Sequence, residues 1–286
     1  MTISYTTSKP LTIAIPVRNE EANLPLCLSA LKSVIGHLAN VVVIDSGSTD
    51  KTLDIAEDFG VDVLQFEWDG QYPKKRNWFL LNHTPSTPWV LFLDADEVVS
   101  ETFLTELETA LLDESKSGYW INYTNYFLGK KLNHGLPQRK LALFRVDKGL
   151  YERIEEKAWS SLDMEIHEHP VIEGEIGTIK ALIDHRDFRG VAKFLQRHVD
   201  YAKWESKRVR ELGGRQGTQW QGLTRRQQFK YEHIGDWWFP GFYFLNAYIL
   251  RLGFLDGATG FHYAFFKMWY FKSIRLMIKE DIKTKP

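Results

Sequence analysis

The chain of 286 residues holds a single cysteine, Cys27. One thiol cannot build an internal disulfide framework, which suits a reducing, cytoplasmic setting. Cys27 lies in an apolar helical pattern, so a buried structural thiol is expected there rather than a nucleophile. No apolar run reaches the ~20 residues of a membrane-spanning helix, and the N-terminus lacks the charged-then-apolar pattern of a signal peptide. No glycine-rich fingerprint follows the first strand-like segment. That argues against nicotinamide and flavin enzymes, and against a nucleotidyltransferase. Lys and Arg number 36 against 37 Asp and Glu, a net charge of −1, so no global field points to nucleic acid. Internal repeats and low-complexity tracts are also missing.

What is present is a hydrophobic fraction of 44%, enough for a sizeable core, and a change of character along the chain. The first half alternates strand and helix signals. Leu11-Thr-Ile-Ala-Ile15 is a strand expected to stop at Pro16, and Leu26, Leu28, Leu31 and Val34 form a helical stripe from about Asn23. Asn40–Asp45 is a β-branched run of the kind buried on both faces. Ser46-Gly-Ser-Thr-Asp50 turns into a helix that ends at Gly60. Val61–Phe66 is another strand, Arg76–Asn82 a short helix, and Trp89–Asp94 a strand. Ser100 is placed to cap a helix through Leu112. This order implies an α/β fold, Rossmann-like, with a mostly parallel sheet and flanking helices. Residues ~119–185 carry short strand-like pieces. From about Phe188 the chain is helical and basic, and after Trp237 strongly aromatic. The expected division is therefore 1–187 and 188–286.

Open sheets of this kind bind ligands beyond the carboxyl ends of their strands. Arg18-Asn19-Glu20, Asp45-Ser-Gly-Ser48 and Asp94-Ala-Asp96 all fall at such ends. Asp94 and Asp96, at i and i+2, point the same way if extended. Hard carboxylate oxygens suit Mg²⁺ or Mn²⁺, which leave positions for phosphate oxygens. A solvated strand-end turn is the plainer reading of that pair alone.

Together, Ile15-Pro-Val-Arg-Asn-Glu-Glu21, Val43-Ile-Asp-Ser-Gly-Ser-Thr-Asp50 and Leu93-Asp-Ala-Asp96 resemble the inverting family 2 glycosyltransferases, in order and spacing over roughly the first 100 residues. His167-Glu-His169, Gly174-x-x-Gly177, Asp184-His185 and Leu252-Gly-Phe-Leu-Asp-Gly257 with Gly260 resemble one branch of that family. It comprises bacterial lipopolysaccharide core glucosyltransferases and related surface-glycan enzymes. The resemblance implies a GT-A fold over 1–187 that binds a nucleotide-sugar donor, with UDP-glucose expected, and a glycan or glycolipid acceptor. A single in-line displacement makes a β linkage from an α-linked donor.

The resemblance also implies roles. Pro16, Arg18, Asn19 and Glu20 would hold base and ribose. Asp45, with Ser48 beside it, would accept from the uracil imide; an Asx turn at Asp45 or Ser46 is compatible with that. Lys75 and Arg76 would neutralise the diphosphate, unless they form an ordinary solvated turn. Asp96 would ligate the metal ion directly, with Asp94 either a second ligand or a ribose or water-mediated contact. His185 would complete the metal site. Inversion needs a base on the acceptor hydroxyl, and Glu168 is the candidate. His167 and His169 are alternatives, placed by strand alternation on the opposite face. Arg139 and Arg145 are candidate anion contacts. The C-terminal aromatics interleaved with Lys and Arg suit an inner-leaflet membrane surface, or else a subdomain packed on the core. A non-catalytic scaffold of the same fold is the rival from another class.

Overall fold

The computed structural model describes residues 9–154, 163, 168–186, 190–217 and 219–283. It divides into two compact units, one reaching to Thr124 and resuming over Gln138–Arg186, the other made of Asn125–Pro137 and the chain from Asp187 onward.

In the first unit the elements run β1 (Leu11–Val17), α1 (Leu24–Leu31), β2 (Ala39–Asp45), α2 (Thr52–Asp58), β3 (Asp62–Gln65), α3 (Lys75–Asn82) and β4 (Trp89–Phe92). Then come β5 (Glu97–Val98), α4 (Glu101–Leu111) and β6 (Gly118–Tyr123). The second unit inserts a hairpin, β7 (Asn125–Phe127) and β8 (Lys130–Leu132). The first unit closes with β9 (Gln138–Arg145), β10 (Gly149–Tyr151), β11 (Pro170–Ile172) and β12 (Ile176–His185). The main sheet has the order β3-β2-β1-β4-β9-β6-β12-β5. β1, β2, β3 and β4 are mutually parallel, β9 runs antiparallel between β4 and β6, and β6 and β12 are parallel.

Alternation along β1 sends Leu11, Ile13, Ile15 and Val17 to one face, where α1 and α4 cover them, and Ala14 to the other, against Phe79 and Leu80 of α3. Helices on both faces explain why these central strands are apolar throughout. α1 buries Leu24, Cys27, Leu28 and Leu31, a helical stripe. The hydroxyl of Ser100 accepts from Phe103 N at 3.1 Å, capping α4 as its sequence implies. One expected boundary moves. β1 does not stop at Pro16 but pairs through it to Val17. Its ladder with β4 already ends at Ala14, so the missing Pro16 N–H costs no hydrogen bond on that side.

In the second unit α5 (Gly190–Leu212), α6 (Arg225–His233), α7 (Phe239–Leu245) and α8 (Gly257–Lys283) follow the hairpin. Ala202, Ile234, Phe239, Phe271 and Ile274 form its core. Pro240 sits harmlessly in the first turn of α7. Between α7 and α8 the chain makes a π-helical segment, Asn246–Leu250, and a 3₁₀ turn, Gly253–Asp256. Glycine is required here by close approach. A Cβ on Gly253 would lie 2.5 Å from the carbonyl oxygen of Ala247, and one on Gly260 2.0 Å from that of Gly253. Asp256 accepts from the backbone N–H groups of Asn133 (3.2 Å) and His134 (2.9 Å), tying this turn to the β7–β8 hairpin. Among the described residues no helix is long and apolar enough to cross a membrane.

Candidate active site

The loops leaving β1 and β2 are laced together at the carboxyl ends of two adjacent parallel strands. Asn19 adopts a left-handed φ of 56°, tolerable for asparagine because its amide can bond locally. Its N–H donates to Ser48 Oγ at 2.9 Å and its Oδ1 accepts from Thr49 N at 2.8 Å. Glu20 N donates to Thr52 Oγ1 at 2.8 Å, and Glu21 N to Asp50 Oδ2 at 3.1 Å. Burial would raise the Asp50 carboxyl, but the Thr52 hydroxyl and the backbone donors hold it below its ordinary value. Asp45 is fully buried. Its carboxylate accepts from the N–H groups of Gly47 and Ser48, each at 3.0 Å, and from the Ser48 hydroxyl. The Asx turn expected as one alternative at this position is therefore present. Next to it, the Ser46 hydroxyl oxygen is buried without a hydrogen-bond partner among the described residues.

Past β4 lies a dense acidic cluster. Asp94 Oδ1 accepts from Arg76 Nη2 at 2.8 Å and Asp94 Oδ2 from Lys140 Nζ at 2.5 Å. The same ammonium bonds Glu97 Oε1, and Glu97 Oε2 accepts from Asp94 N at 3.1 Å. Burial would lift Asp94, yet Lys140 and Arg76 hold it well below the usual carboxylate range. Glu97 has no solvent exposure. Burial, with Asp94 adding to it, pushes its carboxyl up to about 7 against the pull of Lys140. Burial opposes the charge on Lys140, but Asp94 and Glu97 raise it well above the lysine range.

Asp96 has a different partner. Its Oδ1 lies 3.5 Å from His185 Nε2. The ladder makes this meeting, since β5 pairs with β12 and His185 stands opposite Glu97. The backbone N–H of Arg186 donates to Asp96 O at 2.8 Å, and that of His185 to Thr124 Oγ1 at 3.1 Å. Burial lowers the imidazole, but the Asp96 contact and the charges of Asp96 and Glu97 prevail and raise it. Among the described residues no group of three or more His, Cys, Asp or Glu is set to hold a metal ion. One carboxylate and one imidazole fit a divalent ion that takes its remaining ligands from phosphate oxygens and water. Asp94 carries a cation on each oxygen, Arg76 on one and Lys140 on the other.

The start of α3 supplies three consecutive cations, each fixed to a different element. Lys74 Nζ pairs with Glu168 Oε1 at 2.6 Å, both side chains buried. Lys75 Nζ donates to Val17 O at 3.2 Å and lies 3.4 Å from Asp163 Oδ2. Burial lowers its pKa, with Asp163 opposing. Arg76 holds Asp94 and lies over the rings of Phe92 and Tyr151. The solvated-turn alternative for Lys75 and Arg76 thus does not hold: both are buried.

Glu168 and His169 precede β11 rather than lie in a strand, so the strand alternation expected to put both histidines opposite Glu168 does not apply to His169; His167 is outside the described residues. Arg139 stacks on Trp120, its guanidinium 4.5 Å from the ring centre. Arg145 lies opposite Trp89, at the start of β4, and bonds Lys116 O at 2.9 Å. That is the end of the strand away from Asp94. Sequence reasoning missed Lys140, Glu97, Lys74 and Tyr123. The Tyr123 ring lies 5.0 Å from Lys140 Nζ, and its buried hydroxyl has no partner among the described residues. Glu97 alone had a local signal, adjoining the Asp94–Asp96 pair.

Residues 12–164 match the family model described as Glycosyl transferase family 2, and the chain belongs to that family. It is a glycosyltransferase. It is similar to the lipopolysaccharide core biosynthesis glycosyltransferase LpsC of Rhizobium meliloti (strain 1021), 28% identical over 274 residues, covering 90% of this chain and 89% of LpsC. It is 34% identical over 101 residues to a TPR repeat-containing protein of Synechococcus elongatus. That match takes in 35% of this chain and only 24% of the longer relative. Among solved structures, S. aureus TarS 1-349 aligns over 97% of this chain and 92% of its own, at 16% identity and a TM-score of 0.43.

Proposed function

We propose that this glycosyltransferase moves a hexose from a UDP-hexose, glucose from UDP-glucose, onto a lipopolysaccharide inner-core acceptor, with inversion and with a divalent ion. The observation that carries the reading is the convergence of three polar clusters at the carboxyl ends of β1, β2 and β4, with Asp96 Oδ1 3.5 Å from His185 Nε2. The name of the relative LpsC supports the acceptor. Work on such an acceptor places the enzyme in the cytoplasm, peripheral on the inner face of the inner membrane.

In this reading Pro16, Arg18, Asn19 and Glu20 meet the base and ribose, and Asp45 and Ser48 the uracil edge, on a frame already held by the Asn19–Thr49 and Glu20–Thr52 bonds. Lys75 and Arg76 face the diphosphate from the start of α3. Asp96 and His185 would hold Mg²⁺ or Mn²⁺, which when bound supplies Lewis-acid neutralisation of the leaving diphosphate. His185 must give up its proton to serve as a ligand. Asp94, fixed by Arg76 and Lys140, contributes a water-mediated or ribose contact.

Glu168 takes the acceptor proton in this reading, with Lys74 Nζ 2.6 Å from its Oε1 and both side chains buried. The same buried pair favours a second reading, Glu168 as a strut that fixes the start of α3. Glu168→Gln separates them. A base role predicts kcat lower by about 10²–10⁴-fold with UDP affinity unchanged. A strut predicts a lower melting temperature with kcat largely kept.

Calorimetry with UDP, GDP, ADP and CMP, each with and without Mn²⁺, tests the whole reading. The expected result is UDP binding that needs the metal ion and is lost in Asp96→Ala. A folded protein that binds none of the four nucleotides would favour the scaffold.

A further inference from the structure

The turn between α7 and α8 is built of large apolar side chains that face solvent. Leu245, Ile249, Leu250, Leu252, Phe254 and Leu255 are all exposed, Leu250 at 71% and Leu255 at 56%. Trp237, before α7, is 80% exposed. The turn is not loose. Gly253 and Gly260 fit only because they lack Cβ atoms, and Asp256 is bonded to the β7–β8 hairpin. Aromatic contacts from Tyr248 to Phe254 and Phe261, and from Phe261 to Phe265, continue the surface onto α8. A rigid, exposed apolar surface of this extent marks an interaction site.

Charge and composition decide what it fits. Arg251 stands between Leu250 and Leu252, exposed. It lines a concavity of about 440 Å³ with Asn133, His134, Gly135 and Asn246. Among the described residues its guanidinium has no hydrogen-bond or ion-pair partner. From Trp237 to Lys279 the sequence has five basic residues, Arg251, Lys267, Lys272, Arg275 and Lys279, and one carboxylate, Asp256. That carboxylate is already committed to the hairpin. A second copy of this chain seated on the same surface would bring Arg251 no acidic partner from this stretch, which opposes self-association. Apolar tips flanking an exposed cation, within a belt of Trp, Tyr and Phe, match the boundary between acyl chains and anionic headgroups.

We propose that Ile249–Leu255 is a membrane-docking turn. Leu250, Leu252 and Leu255 enter the acyl boundary of a bilayer, and Arg251 binds the phosphate of an anionic phospholipid. This deepens, and rests on, the peripheral-membrane part of the function proposed above. It also gives the second unit a task of its own.

Flotation of the full chain with vesicles of phosphatidylcholine, alone or mixed with phosphatidylglycerol, tests it. The wild type should float with the mixed vesicles. Leu250→Glu/Leu255→Glu should weaken binding by about tenfold or more. Arg251→Gln should weaken it by about fivefold at low salt, a difference that high salt removes. These side chains are exposed, and circular dichroism checks that the variants fold. A wild type that stays with the protein fraction, or variants that float like wild type, would overturn the assignment. So would a concentration-dependent dimer that the double substitution dissolves, since the surface then serves a second copy. UDP calorimetry on the same samples keeps the two readings apart. Vesicle binding without UDP binding sinks the donor reading and leaves the turn standing; UDP binding without vesicle binding does the reverse.

Discussion

Lys140→Met removes the one ammonium that serves both Asp94 and Glu97. Deleting one partner of a fully buried ion pair costs about 3–5 kcal/mol. Here Glu97 is entirely buried but 42% of the Lys140 side chain is exposed. Solvent screening along that flank brings the expected loss to about 2–3 kcal/mol at pH 8. For a chain of this size that lowers the melting temperature by roughly 3–5 °C. The pH dependence is the sharper signature. The folded-state pKa of Glu97 is raised from 4.5 to about 7. Between those values the native state keeps a proton that the unfolded chain has released, so this group's contribution falls as pH rises. Without Lys140 the carboxyl rises further, and the penalty extends to higher pH. At pH 5 Glu97 is protonated in both proteins, and only the Lys140–Asp94 contact is lost. The gap between variant and wild type should therefore be small at pH 5 and largest near pH 8. Urea unfolding across that range measures it, and Lys140→Met/Glu97→Gln should recover much of the loss at pH 8. A gap that is the same at every pH, or below about 0.5 kcal/mol at pH 8, the scale of an exposed pair, would refute the electrostatic account of this cluster.

Three further outcomes follow from the geometry. Gly260→Ala forces a Cβ to within 2.0 Å of the Gly253 carbonyl oxygen; it should cost about 2 kcal/mol or more, seen as loss of the second unit's tertiary circular dichroism at lower urea. Ser100→Ala should cost about 1 kcal/mol by leaving Phe103 N without its cap, measured by thermal melting. Asn19→Gly keeps the left-handed backbone but loses the bond to Thr49 N, whereas Asn19→Val also strains φ at 56°. The valine variant should be the less stable by about 1–2 kcal/mol, and equal melting would remove the strain argument.

Much of the first unit was legible because its signals are local. Of the expected stripe, Leu28 and Leu31 are buried on α1 and Val34 is buried just past its end, whereas Leu26 is exposed and Leu24 and Cys27 take the inner face; Ser100 caps where it stands. The loops after β1 and β2 were visible as polar clusters ending apolar runs. What a run of sequence cannot show is the long-range partner. Asp94 and Asp96 stand two residues apart as the sequence shows, but their partners come from far along the chain, Arg76 and Lys140 for one and His185 for the other. Lys140 is 43 residues from Glu97 in the chain and sits in a strand whose pattern gave no hint of a buried charge. Lys74 looked like one cation of a basic turn, and only the fold reveals that Glu168, 94 residues on, neutralises it. The exposed turn after α7 was legible as aromatic-rich and broken, yet its rigidity depends on carbonyl oxygens that no residue name records.

The pairing of β5 with β12 has a consequence for how this chain can vary. Only two rungs, Glu97 with His185 and Val98 with Asp184, bring Asp96 and His185 together. The excursion that leaves the first unit at Thr124 and returns at Gln138 can change length without altering their separation, whereas β6, paired along β12, cannot. One residue gained or lost inside either rung is a different event. It would put Asp184 or Arg186 where His185 stands and exchange the chemistry of the site in a single step. Descendants of this chain are thus free to remodel the inserted segments while inheriting the carboxylate–imidazole pair unchanged. Length differences among them should accumulate in the inserts and be purged from the rungs.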